Sequence, residues 1–178
     1  MTTDADITIV PLARSHLRDL APLLDDPEVV RFTRVPDPPP ADFLDTWFAR
    51  YEDGRVVGTR EAFAIVDADQ AILGIALAPA IDRETATVEL GYVVHQEARG
   101  RGVASRALAL LTDWAFGSLD AKRIELLISP ENAGSKRVAT KNGYVYEGTL
   151  RSMYFKQDVR ADTEIWSKLP TDPSQTYR

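Results

Sequence analysis

A turn with two glycines and two arginines precedes a long amphipathic segment just past the middle of this chain of 178 residues. It reads Arg99-Gly100-Arg101-Gly102 and continues into Val103-Ala104-Ser105. The first turn of a helix has N–H groups without an internal partner, and the helix dipole adds positive potential there. Glycines let the backbone approach a ligand closely because they have no Cβ atom. We therefore predict that the N–H groups from Arg99 to Ser105 bind a phosphate or pyrophosphate, with charge added by both arginines.

The turn by itself is compatible with several kinds of site, including a plain helix start with no ligand. The dinucleotide fingerprint requires a third glycine where this chain has Ser105, and it belongs early in a βαβ unit. A P-loop requires Gly-Lys-Ser/Thr, which this stretch lacks. The pattern Arg99-x-x-Gly102-x-Ala104 instead resembles the Arg/Gln-x-x-Gly-x-Gly/Ala signature of the GCN5-related N-acetyltransferase (GNAT) family.

Three further motifs carry the same resemblance, and with the turn they span most of residues 61–168. They are Glu89-Leu90-Gly91-Tyr92, Asn132-Ala133-Gly134-Ser135 and Asn142-Gly143-Tyr144-x-x-Glu147-Gly148. Their order and spacing are similar to those of the RimJ/RimL type, the branch that acts on the N-termini of ribosomal proteins. The first 60 residues match the family only loosely.

The resemblance implies acetyl-coenzyme A (acetyl-CoA) as the acetyl donor. Its pantetheine arm would lie along Tyr92, Val93 and Val94, where two parallel strands separate. Asn132 would hydrogen-bond the pantetheine and Lys136 would assist. For Asn132 an ordinary N-cap is the structural alternative.

The resemblance also implies direct attack of an amine on the thioester. Glu89 is the candidate base, because an α-amine with a pKa of about 7.7–8.0 is already partly neutral near pH 7. Ser135 is the candidate proton donor to the thiolate, since the position at which many relatives have a tyrosine is Ala139 here. A backbone N–H near Val93 would hold the oxyanion. The structural alternatives are a solvated or paired strand carboxylate for Glu89 and a first-turn hydroxyl for Ser135.

The expected reaction is acetylation of a primary amine, with a protein N-terminus as the first acceptor and a small-molecule amine, such as a polyamine or an amino-sugar antibiotic, as the second. A non-catalytic acyl-CoA-binding module and a dinucleotide-binding oxidoreductase are the competing functions. Monomer and homodimer both stay open.

Composition limits the function classes. A hydrophobic content of 44% fits one domain over residues 1–178, with a loose tail after about residue 170. There are no cysteines and two histidines, which exclude thiolate and multi-histidine metal sites, so we expect no metal. A net charge of −6 argues against nucleic-acid binding. The acidic N-terminus is unlike a signal peptide and no apolar run is long enough to span a membrane, so we expect a cytoplasmic protein.

Periodicity predicts a mixed α/β fold. Strands are expected over residues 7–12, 61–66, 72–79, 85–94, 123–128, 144–147 with 150–155, and 161–169. About four helices are expected, over residues 15–24, 42–51, 101–116 and 131–141, besides a short one at Pro27. Asp53-Gly54 is expected to turn the chain after the second of them. This order is similar to the GNAT fold, a mostly antiparallel sheet of six to seven strands with a central parallel pair.

Two aromatic groups are expected either to face the acceptor or to pack in the core. The first lies in the helix over residues 42–51, and the second is on the late β segment. Their members are Phe43, Trp47 and Phe48, then Tyr154 and Phe155.

Overall fold

A computed structural model describes residues 6–173, and within them the chain forms one seven-stranded mixed sheet. The strands are β1 (Ile7–Pro11), β2 (Glu61–Asp67), β3 (Ile72–Asp82), β4 (Thr87–Val94), β5 (Arg123–Ile128), β6 (Val145–Lys156) and β7 (Val159–Lys168). The helices are α1 (Leu17–Leu20), α2 (Pro27–Phe32), α3 (Phe43–Val57), α4 (Val103–Leu119) and α5 (Ala133–Lys141). The strand order is β1-β2-β3-β4-β5-β7-β6, as expected for a mostly antiparallel sheet with one parallel pair. The expected loose tail falls largely on residues 174–178, which lie outside the described range.

Each face of the sheet has its own hydrophobic core. The face covered by α4 and α5 buries the apolar stripe of α4, including Val103, Ala107 and Leu111, against Val88 and Leu90 of β4. The face covered by α1, α2 and α3 buries the leucines of the early helices with Phe48 and Tyr51. Successive residues of a strand point to opposite faces, so β4 contributes alternately to the two cores. The even-numbered side chains from Val88 face α4 and α5, and the odd-numbered ones face the early helices.

The parallel pair separates partway along its length. β4 and β5 are paired at Thr87–Arg123, Val88–Ile124 and Glu89–Glu125, and the pairing stops there. β4 nevertheless continues to Val94 on β3, while β5 continues to Ile128 on β7. The gap between the two strands therefore opens beyond Glu89 and includes Tyr92 to Val94, where the resemblance implied separating strands.

The turn expected at Asp53-Gly54 is wrong, because α3 runs through it to Val57. A Cβ on Gly54 would lie 2.6 Å from Cβ of Arg60, so the missing side chain leaves room for the Arg60 stem. Gly58 ends the helix instead, at φ +73°, a conformation that glycine adopts without steric cost. β6 is also one strand instead of two segments, with irregular pairing near Gly148.

Candidate active site

The glycine turn presents a row of free backbone donors. Gly100 and Gly102 have φ values of +72° and +81°, and Gly102 immediately precedes α4 without a side-chain cap. The first helical bond is donated by Arg106 to Gly102. The N–H groups of Gly100 through Ala104 donate to no other residue between 6 and 173. Five consecutive donors at the positive end of a 17-residue helix suit a diphosphate.

The Arg99 side chain is engaged with the early helices. Its guanidinium pairs with Asp26 at 2.5 Å and Glu28 at 2.9 Å, and its Nε donates to the carbonyl of Val94 at 3.1 Å. Asp26 also caps α2 by accepting from the N–H of Glu28 at 2.9 Å. The charge expected to reach an anion is thus largely balanced by carboxylates, and Arg99 joins the turn to α2.

Ser105, the last residue of the predicted turn, is buried within the first turn of α4. Its hydroxyl accepts a hydrogen bond from Asn142 Nδ2 at 3.1 Å. This contact joins α4 to the end of α5. Arg101 is exposed beside the turn.

Glu89 lies at the last paired position before the strands separate. Burial raises the pKa of its carboxyl above the ordinary range, and the neighbouring carboxylate of Glu125 adds to the rise. The positive charges of Arg34 and Arg60 oppose it. No hydrogen bond to the Glu89 carboxylate is present within residues 6–173. A half-buried carboxylate with a raised pKa and open oxygens can accept a proton from an amine.

Arginines and aromatic rings surround Glu89 on the face of the early helices. The Arg60 guanidinium lies 5.9 Å from the ring of Tyr51, and that ring lies 4.7 Å from Trp47. Arg34 lies 5.9 Å from the ring of Tyr154. Neither Arg34 nor Arg60 forms a salt bridge in the described part of the chain. Both charges act on the carboxyl of Glu89 without forming a salt bridge with it.

The β6–β7 hairpin closes this face against the loop after α2. The Tyr154 hydroxyl donates to the carbonyl of Thr33 at 2.5 Å. Lys156 donates to Val30, and Gln157 donates to Asp37 at 2.7 Å. Tyr154 thus lies on the face of the early helices, in contact with Thr33 and near Arg34, and its expected contact with the acceptor stays a prediction. The side chain of Phe155 lies outside the described part of the structure.

On the other face, Tyr92 and Ser135 approach each other across the gap. Burial raises the pKa of the Tyr92 phenol to about 12, and a nearby Ser135 hydroxyl works in the opposite direction. Ser135 is in the first turn of α5. Ala139, one turn later, is fully buried in the core beneath α5.

Asn132 caps α5, since its Oδ1 accepts from the N–H of Ser135 at 2.9 Å. The cap leaves the amide nitrogen of Asn132 without a partner among residues 6–173, so the same side chain can still donate to a pantetheine carbonyl. Lys136 instead donates to the Pro130 carbonyl at 2.6 Å and pairs with Glu164 at 3.2 Å. Its ammonium therefore anchors the start of α5.

One backbone hydrogen bond between β4 and β3 identifies which N–H groups of β4 face the gap. The N–H of His95 donates to Leu73 on β3 at 2.9 Å. Because N–H groups alternate along a strand, that of Val93 also faces β3, while those of Tyr92 and Val94 face the gap. The oxyanion donor expected near Val93 is thus better supplied by a neighbouring residue.

Sequence reasoning overlooked Arg34, Arg60, Tyr51 and the Tyr92 hydroxyl. Of these, only the Tyr92 hydroxyl could have been recognised from the sequence, because it is the one polar group among the side chains of β4 that face α4 and α5. Between residues 6 and 173 no group of three or more acidic or histidine side chains is placed to hold a metal ion. In the same range, no helix combines the length and the hydropathy needed to cross a bilayer.

Comparisons with known proteins agree with this geometry. The family model described as "Acetyltransferase (GNAT) domain" matches residues 6–145. "Uncharacterized N-acetyltransferase p20" of Bacillus licheniformis is 31% identical over 133 residues, which cover 71% of each chain. "Ribosomal-protein-serine acetyltransferase" of Escherichia coli is 27% identical over 112 residues, covering 63% of this chain and 62% of the relative.

A solved structure of spermidine N-acetyltransferase from Vibrio cholerae, in complex with CoA and spermine, superposes with a TM-score of 0.81. It covers 94% of this chain and 97% of its own at 20% identity, so it supports the fold alone. The glycine turn, the separating strands and the family match over residues 6–145 lead to one conclusion: the chain belongs to the GNAT family and is an acyltransferase that uses acetyl-CoA.

Proposed function

We propose that this enzyme transfers the acetyl group of acetyl-CoA to the α-amine of a peptide or protein N-terminus, with Glu89 as the base. The observation that carries the proposal is the setting of Glu89: a half-buried carboxylate at the point where β4 and β5 separate, with Arg34 and Arg60 beside it.

The donor half supports binding of acetyl-CoA through the backbone. The diphosphate would meet the N–H groups of Gly100 through Ala104. The pantetheine arm would run along Tyr92, Val93 and Val94, near the free amide nitrogen of Asn132. The acetyl group would then reach the gap beside Glu89.

The acceptor half favours an α-amine over a polyamine. An α-amine has a pKa of about 7.7–8.0, and nearby positive charges lower the pKa of an amine further. A carboxylate such as that of Glu89 raises the pKa of an amine beside it, and Arg34 and Arg60 offset this effect on an incoming α-amine. Glu89 then removes the proton released on attack. A polyamine has several amines that stay charged at neutral pH, and the same arginines would repel them.

An assay of free-thiol release with an acceptor panel tests the proposal. The panel contains peptides with a free N-terminus and either acidic or basic residues at positions two and three, an N-terminally blocked peptide with one lysine, and spermidine. We expect turnover of free N-termini, with acidic peptides preferred, and at least tenfold less turnover of the blocked peptide and spermidine.

Matched variants locate the selectivity. Arg34→Gln with Arg60→Gln should remove the preference for acidic over basic peptides, whereas Arg31→Gln should keep it, because Arg31 pairs with Glu131 at 2.7 Å on the surface. Faster turnover of spermidine than of every peptide would contradict the proposal and favour the small-molecule alternative. Tight binding of acetyl-CoA without turnover of any amine would favour a binding module.

A further inference from the structure

One buried hydroxyl at the separated strands has no partner. The Tyr92 hydroxyl is the sole buried side-chain nitrogen or oxygen atom between residues 6 and 173 that forms no hydrogen bond. Folded proteins leave few buried polar atoms unpaired, and a ligand atom is one common explanation. The hydroxyl lies on the segment of β4 that has lost β5 as a neighbour.

The surroundings of this phenol keep it protonated, so it can donate a hydrogen bond at neutral pH. Burial raises the pKa of Tyr92 to about 12, so the phenol keeps its proton at neutral pH. The Ser135 hydroxyl is close enough to act on the pKa of Tyr92, but the two groups do not form a hydrogen bond, so the Tyr92 hydroxyl has no partner within the protein. An O–H group held in a buried site interacts strongly with negative charge because little water competes for it.

Tyr92 and Glu89 stand on opposite faces of the same strand. They are three residues apart, about 10 Å along β4, so their side chains point to different sides of the sheet. The amine attacks the carbonyl carbon from above or below the thioester plane, whereas the sulfur lies in that plane. An amine that approaches from the face of Glu89 therefore does not occupy the space beside the sulfur, and a donor on the face of Tyr92 can contact the sulfur.

We propose that the Tyr92 hydroxyl donates a hydrogen bond to the sulfur of acetyl-CoA as the thioester breaks, with the Ser135 hydroxyl directing it. The amine lone pair forms the new C–N bond, and the electron pair of the C–S bond passes to sulfur. The amine proton goes to Glu89, and the thiolate, held by Tyr92, takes a proton from water as CoA leaves. The proposal uses the acetyl transfer proposed above, but it does not depend on the acceptor.

The test is Tyr92→Phe, which removes only the hydroxyl. Calorimetry would compare CoA with desulfo-CoA, in which hydrogen replaces the thiol. The wild-type enzyme should bind CoA about tenfold more tightly, and the variant should bind both with similar affinity. An equal loss of affinity for both ligands would overturn the proposal and assign the hydroxyl to the pantetheine arm.

A spectroscopic measurement examines the same bond. The ultraviolet absorbance of the thiolate reports ionisation of bound CoA as pH rises. We expect the pKa of the bound thiol to be about one unit higher in Tyr92→Phe than in the wild type, because a donor that stabilises the thiolate is lost. An unchanged value would contradict the proposal. Neither measurement contains an acceptor amine, so a wrong acceptor assignment cannot produce either negative result.

Tyr144→Phe is the matched control. Tyr144 is another buried tyrosine, but its hydroxyl shares a 2.7 Å hydrogen bond with Thr112. This control should lower the unfolding temperature and leave the ratio of CoA to desulfo-CoA affinity unchanged. Tyr92→Phe should keep or raise the unfolding temperature without ligand, since no protein hydrogen bond is lost. A drop as large as that of Tyr144→Phe, with an unchanged ligand ratio, would assign Tyr92 a packing role only.

Discussion

The donor side of the sheet relies on the backbone, whereas the acceptor side relies on side chains. On the donor side, helices of 17 and 9 residues hold a glycine turn whose N–H groups point outward. On the acceptor side, helices of 4, 6 and 15 residues, joined by 3-10 turns and a proline-rich loop, place arginines and aromatic rings around Glu89. A diphosphate can be bound by any backbone with the right shape, but an acceptor is selected by particular side chains. The contrast explains why motifs identify the donor far better than the acceptor.

Charge is distributed differently on the two sides. The arginine of the donor turn, Arg99, is balanced by Asp26 and Glu28. On the other face, Arg34 and Arg60 form no salt bridge among the described residues, but both act on the nearby carboxyl of Glu89 and oppose the rise of its pKa. The net charge of −6 for the whole chain gives no hint that two arginines lie near this carboxyl.

The largest effect should come from Glu89→Gln. Removing the base should lower kcat/KM for a peptide α-amine by about 10²–10⁴-fold at pH 7. Part of the loss should be recovered at pH 9, where the amine is already neutral. Initial rates of thiol release at both pH values measure it, and calorimetry should show CoA affinity within twofold of wild type. Glu125→Gln is the control, with a small effect on rate; equal losses in the two variants would remove Glu89 from its catalytic role.

The second largest effect should come from the joint between the two sides, by which we mean the ion pairs of Arg99 with Asp26 and Glu28. Arg99→Gln leaves Asp26, whose side chain is only 7% exposed, without its cation and should lower the free energy of unfolding by about 2 kcal/mol. Urea denaturation measures the loss, and amide hydrogen exchange should increase in α2. Arg31→Gln breaks a pair whose side chains are 62% and 69% exposed, so a change below about 0.5 kcal/mol is expected. Similar losses in both variants would mean that the joint has no special role.

A pair of glycine substitutions isolates the backbone of the donor turn. Gly100→Ala and Gly58→Ala introduce a side chain at φ +72° and φ +73°, and each should cost about 1–2 kcal/mol of stability. A Cβ on Gly100 would meet no atom within 4 Å, so its methyl group would project into open space beside the N–H groups that we propose to bind the diphosphate. Affinity for CoA, measured by calorimetry, should therefore fall about tenfold in Gly100→Ala and stay constant in Gly58→Ala. Equal affinities in the two variants would place the diphosphate elsewhere.

The smallest effect is a stability difference that depends on pH. Burial raises the pKa of Glu89 in the folded state, so ionisation of this carboxyl at pH 7 lowers the free energy of unfolding. This loss disappears at low pH, where the carboxyl is protonated in both the folded and the unfolded protein. Glu89→Gln should therefore be more stable than wild type at pH 7, and the gain should vanish below about pH 4. Thermal unfolding across this range measures it.

Glu147→Gln provides the control of opposite sign. Hydrogen bonds from Arg123 and Ser167 lower the pKa of Glu147 to about 2. Its ionised form stabilises the fold above the unfolded pKa of about 4.3, and this contribution is lost as pH falls towards 2. The variant should be less stable than wild type at pH 7. A loss of stability in both variants would show that Glu89 is paired after all.

Local patterns predicted the elements on the α4 face of the sheet well. Residue spacing predicted the apolar face of α4, the alternation of β4 side chains between the two faces of the sheet, and the glycine turn. The use of the Arg99 side chain was unpredictable because Asp26 and Glu28 are 73 and 71 residues away in the chain. The end of α3 depended on the Arg60 stem, which occupies the space beside Gly54 and lets the helix continue. The Tyr92 hydroxyl could be assigned to a face, but whether it has a partner depends on where α5 packs.

Arg99 would couple the two proposed substrate sites in one thermodynamic cycle. Its guanidinium contacts both the Val94 carbonyl at the end of β4 and Asp26 at the start of α2. Any free energy by which acetyl-CoA tightens this joint must reappear as tighter capture of the amine, and the reverse must hold by the same factor. Substrate synergy in this enzyme would then pass through a single side chain.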